Sequence, residues 1–152
     1  MPGERKRAKL FADACRAALA AFVFGLFSGH TIIERERGRW DFAEMVLAVG
    51  FLIFALLVLL GTQHAVRPLA TSEPPQKSAR QFLFSCALFA LISSTFGMFV
   101  SGLIWYSCDF IRTFGAVFWG AITCVAIYPV RRDAKRLADA ASPSRSLSGP
   151  TV

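Results

Sequence analysis

Four stretches of the chain contain no Asp, Glu, Lys or Arg: Ala17–Ile33, Met45–Val66, Gln81–Cys108 and Thr113–Val130. They run 17, 22, 28 and 18 residues, more than half of the 152. Lipid offers no hydrogen-bond partner, so a segment that crosses it must satisfy its own backbone, as a helix does. A helix needs about 20 apolar residues to cross a hydrocarbon core about 30 Å thick. The lengths therefore predict four transmembrane helices. Composition agrees: 55% of residues are hydrophobic and 18% are charged, against roughly 25% charged in soluble domains. The expected fold class is all-α, a polytopic four-transmembrane-helix bundle made of two antiparallel helical hairpins. No remaining segment is long enough to fold as a separate catalytic domain.

The positive charges set an orientation. With the N-terminus in the cytoplasm, Arg5, Lys6, Arg7, Lys9, Arg67, Lys77, Arg80, Arg131, Arg132, Lys135, Arg136 and Arg145 fall on the inner side, which makes twelve. Arg35, Arg37, Arg39 and Arg112 fall outside, and Arg16 lies within the first span. Twelve against four is a strong positive-inside bias and predicts N-in, C-in. The net charge of +7 is thereby accounted for by membrane flanks, and no nucleic-acid motif accompanies it. The expected surroundings are the lipid bilayer, specifically the inner membrane of a bacterium, with no nucleic-acid partner. A basic start before an apolar run is also the layout of a cleavable signal. Asp13 and Arg16 interrupt the run here and no Ala-x-Ala site closes it, so retention is expected.

The chain divides into a basic cytoplasmic N-terminus (1–9), a transmembrane domain (10–130) and a basic C-terminal segment with a disordered tail (131–152). The helices are expected at about 10–33, 42–66, 81–106 and 113–130. Trp40, Trp105, Tyr106 and Tyr128 fall near span ends, at the headgroup level. Asp41-Phe42-Ala43-Glu44 has the pattern of a capping box, and a cation site at the outer surface is the functional alternative. Pro68 ends the second helix, and Pro129 should kink or end the fourth. Arg131–Ala140 then reads as a short amphipathic helix lying in the interface.

The two halves resemble each other faintly. Ala8-Lys9-x-Phe11-x-x-x-Cys15 matches Ala79-Arg80-x-Phe82-x-x-x-Cys86 at an offset of 71. Phe24-Gly25-Leu26-Phe27-Ser28-Gly29 matches Phe96–Gly102 after single-residue shifts. A tandem duplication would give an approximate twofold axis along the membrane normal.

Hydrophobicity cannot drive helix association inside lipid, so close backbone approach must contribute. Small residues spaced by four mark the packing faces: Ala17, Ala21, Gly25 and Gly29 on helix 1, Gly97 and Ser101 on helix 3, Ala116 and Gly120 on helix 4. Ser93, Ser94 and Thr95 form the polar cluster nearest the bilayer centre, the first place to seek a ligand contact. Glu34, Arg35, Glu36, Arg37 and Arg39 form a dense charge cluster and a candidate outward recognition loop.

Reactive constellations are not apparent. Ion-coupled transport usually needs an ionisable group deep in the membrane. Helices 2, 3 and 4 have none at their centres, and Asp13 and Arg16 can pair on helix 1. His30 and His64 fall at opposite membrane faces and cannot share a metal or haem. Cys15, Cys86, Cys108 and Cys124 form no CxxC, and only Cys108 falls on an oxidising side. No catalytic residue, metal site or cofactor site is expected. The expected function is non-enzymatic: a small integral inner-membrane protein acting through protein contacts, as an accessory subunit, assembly factor or immunity-type protein. The alternative is an oligomeric small transporter or channel with its pathway between protomers.

Overall fold

The computed structural model describes residues 2–36, 38, 42–67, 73–106 and 110–140. They form four helices: α1 (Pro2–Glu36), α2 (Phe42–Val66), α3 (Glu73–Trp105) and α4 (Phe110–Ala140). Each contains a segment long and apolar enough to cross a membrane. At 1.5 Å per residue, the 25 residues of α2 reach roughly 37 Å and the 35 of α1 roughly 52 Å. Only α2 is close to the thickness of a bilayer core. The other three helices extend past α2 and carry most of the charged residues in those extensions.

α1 and α3 form the central pair, with α2 packed mainly on α1 and α4 mainly on α3. The central helices run in the same direction. Near the start of both, Leu10 and Phe82 share a buried cluster. Further along, Gly25 meets Ser94, and Gly29 meets Met98 and Ser101. α2 runs against α1: Phe51 stacks on Phe27 at 6.1 Å, and Val66 reaches the cluster around Leu10 and Ala14. α4 runs against α3, with Gly115 against Phe99, Gly120 against Phe96, and Asp133 against Ser85.

Burial on the central pair repeats every seventy-two positions. Leu10, Ala14, Ala17, Ala18, Ala21, Gly25 and Gly29 are buried on α1, and so are Phe82, Cys86, Phe89, Ala90, Ser93, Gly97 and Ser101 on α3. This frame pairs Leu10 with Phe82 and Ala14 with Cys86. The offset of 71 suggested by Phe11 and Cys15 is therefore displaced by one residue near the start of the helices. The match of Phe24-Gly25 to Phe96-Gly97 lies in the structural frame.

The main core sits at the end of the bundle where α1 begins, hereafter the basic end. Leu10, Ala14, Val66, Phe82, Cys86, Val130, Ala134 and Leu137 meet there. α4 does not end at Pro129, which lies inside the helix. An interior proline removes one backbone hydrogen bond and costs about 3 kcal/mol. Beyond it, Val130, Asp133, Ala134, Leu137 and Ala138 are buried at helical spacing against α1 and α3. Burying Leu137, beyond the apolar run, contributes about 1.5–3 kcal/mol, and Ser85 Oγ donates to Asp133 Oδ2 at 2.7 Å. These terms offset the proline. Residues 131–140 are thus a packed continuation of α4, not a separate helix lying along the interface. Arg7 fastens this extension to α1 through Asp139 at 3.2 Å, and Asp13 pairs with Arg16 one turn away at 3.1 Å.

Candidate functional site at the far end of the bundle

Opposite the basic end, polar and aromatic side chains from all four helices converge. α1 places His30 and Glu34 one turn apart on one face. His30 Nδ1 meets Glu44 Oε2 on the first turns of α2, and both side chains are largely buried. The His30 ring also packs on Trp105 at 4.6 Å and on Tyr106 at 5.8 Å. Tyr106 Oη donates to Glu34 Oε1 at 2.9 Å. From α4, the Arg112 guanidinium lies over the Tyr106 ring at 5.7 Å. Cation–π contact of this kind is worth about 0.5–1 kcal/mol at exposed sites. Arg112 reaches this position past Gly102, where a Cβ would stand 3.2 Å from Arg112 Cδ.

The cluster is a mutual tie. A histidine, two carboxylates, a guanidinium and the phenol of Tyr106, just past the end of α3, are linked in a chain of contacts, and α3 itself contributes the Trp105 ring. Such a network fixes the relative rotation of the helices where lipid alone sets no preference. Among the described residues, no three His, Cys, Asp or Glu side chains are grouped so as to hold a metal ion. His64 is exposed near the other end of α2, roughly 30 Å from Glu44 along the helix.

The small residues read as packing positions lie as follows. Ala17 and Ala21 are buried. A Cβ on Gly25 would collide with the Ser94 carbonyl, and one on Gly97 with the Phe22 carbonyl. Gly29 stands 3.0 Å from the Met98 carbonyl oxygen by the same measure. Ser101 is fully buried, and its hydroxyl has no hydrogen-bond partner among the described residues. Ala116 is buried, and Gly120 lies 3.2 Å from the Phe96 ring.

Two of the three residues of the polar triplet enter the α1–α3 seam, and the third bonds to its own helix. Ser93 is buried, Ser94 presents its carbonyl to Gly25, and Thr95 Oγ1 donates to the Leu91 carbonyl at 3.1 Å. Among the described residues, apolar surface grooves of about 330 and 380 Å³ lie along α2, and these two are not lined by the triplet. In the charge cluster, Glu34 is bound by Tyr106, and the Arg35 carbonyl accepts from Gly38 N at 3.0 Å. Gly38 has φ +73°, the left-handed region that favours glycine. The side chains of Glu36, Arg37 and Arg39 lie outside the described residues, as do Trp40, Asp41 and Cys108.

Sequence reasoning did not pair His30 with Glu44, Tyr106 with Glu34, or Ser85 with Asp133. The nearest signal was the placement of His30, Glu44, Trp105 and Tyr106 at the same predicted membrane face. No protein-family model, curated protein or solved structure matches the chain.

Proposed function

We propose that the chain is a small, non-enzymatic integral protein of a bacterial inner membrane that acts through contacts with another membrane protein. In this reading it comprises two helical hairpins with both termini in the cytoplasm, and it serves as an accessory subunit, assembly factor or immunity-type protein. The positive charges at the basic end support the orientation.

The observation that carries the reading is one face of α2. Gly50, Phe54, Leu57 and Gly61 recur at helical spacing, and all four are exposed. A Cβ on either glycine would meet nothing within 4 Å. Each glycine costs its helix about 1 kcal/mol relative to alanine, and neither is required by packing within the chain. Two notches flanking two large apolar side chains suit the close approach of another helix, the arrangement by which helices associate in lipid.

The test is photo-crosslinking from position 57 in native membranes. The expected product is an adduct with a different polypeptide. Capture of a second copy, together with ion passage in liposomes, would replace this reading with an oligomeric transporter or channel. Absence of any protein adduct from positions 54 and 57 would end it.

A further inference from the structure

Along most of its length α4 turns one face away from the other helices. Phe114, Val117, Val125 and Tyr128 on that face are each exposed by 62% or more. Because α4 continues unbroken through Pro129, the same face runs directly into Arg132 and Lys135, with Arg131 and Arg136 on its two flanks. All four cations are exposed. The nearby carboxylates leave Arg131, Lys135 and Arg136 unpaired: Asp139 holds Arg7, and Asp133 is buried beneath Ser85 and paired with Arg132. Arg131, Lys135 and Arg136 make no ion pair with a described residue. An apolar stripe, an aromatic ring at the transition and a group of unneutralised cations therefore follow one another on a single rigid helix.

From this succession we infer that the α4 face binds an anionic phospholipid. Its acyl chains lie along Val117 to Tyr128, and its headgroup phosphate lies between Arg131 and Lys135, one helical turn apart, with Arg136 adding positive charge on the other flank. Basic residues beside a membrane helix attract anionic headgroups, and here they continue an acyl-sized apolar track. Had α4 stopped at Pro129, the cations would have been separated from that track. The buried faces of Val130, Ala134 and Leu137 hold them in line with it.

The test uses the full chain purified in mild detergent and mixed with equal amounts of phosphatidylglycerol and phosphatidylcholine. Native mass spectrometry counts retained lipids. Phosphatidylglycerol should be retained roughly tenfold over phosphatidylcholine. The triple variant Arg131→Gln, Lys135→Gln, Arg136→Gln should lose that preference. The variant Arg5→Gln, Lys6→Gln, Lys9→Gln, with the same loss of charge at the same end, should keep it. Equal retention of both lipids by the unaltered chain would overturn the proposal, as would equal loss in both variants. A photoactivatable phosphatidylglycerol provides a readout that needs no variant. On the unaltered protein its label should fall on the peptide spanning 117–136, and labelling confined to other segments would also refute the assignment.

Discussion

Gly25 and Gly97 make the same contact from opposite sides of the α1–α3 seam. Each stands against a backbone carbonyl of the other helix, that of Ser94 and that of Phe22 respectively. Shifting both members of one contact by seventy-two positions produces the other, so this part of the seam has a local twofold relationship. A methyl group on either glycine meets backbone, which cannot rotate away. Gly25→Ala and Gly97→Ala should each destabilise the bundle by about 1–3 kcal/mol, read from reversible unfolding in mixed detergent micelles. Gly50→Ala is the contrasting case. It enters open space and should leave stability unchanged or raise it by up to about 1 kcal/mol. Equal losses at positions 25 and 50 would remove the seam from the account.

Leu137 tests whether the extension of α4 is packed. Its side chain is fully buried, whereas Lys135 two residues earlier is exposed. Leu137→Ala should cost about 2–5 kcal/mol through lost burial and the cavity left behind. Lys135→Ala should stay within about 0.5 kcal/mol. A helix lying free in the interface would show little effect of either change on unfolding.

The tie between His30 and Glu44 is measurable as a coupling. Glu44→Gln and His30→Ala, singly and together, form a double-mutant cycle for unfolding. The expected interaction energy is about 0.5–3 kcal/mol. Tyr106→Phe should cost about 1 kcal/mol, since it removes the donor to Glu34 without removing the ring on His30. Coupling indistinguishable from zero would mean the two side chains merely lie near each other.

The proposed orientation predicts which thiols water-borne reagents reach. In intact cells, Cys108 should react with a membrane-impermeant maleimide added outside, and a cysteine introduced by Lys77→Cys should not. After lysis, position 77 should react as well. The opposite pattern would place the basic end outside.

Membership of a helix long and apolar enough to span a membrane was legible because it is a local property. The charge-free runs and the need to satisfy the backbone within each segment locate α2 almost to the residue. The small residues of α1 and α3 were also visible as a pattern, since glycine and alanine at spacing four mark a helical face whatever the partner. The far-end cluster was much less visible. Glu44 carries the sequence signal of a helix cap, yet its described contact is with a histidine fourteen residues earlier on another helix. Asp133 looks like one more charge in a basic stretch, yet it is buried and bound to Ser85 forty-eight residues away. Such pairings depend on how helices are rotated about their axes, which apolar composition does not encode.

From its sequence alone, then, this chain is a set of four helices apolar enough to lie in a bilayer, because lipid imposes length and hydrophobicity on each segment separately. The tertiary structure alone decided that α1 and α3 lie side by side in the same direction, that α4 passes through its proline to complete the core, and which polar groups meet. Those outcomes follow from packing. Carbonyl against glycine, carboxylate against hydroxyl, and histidine between aromatic rings are relations between segments, and their energies exist only after the helices have met.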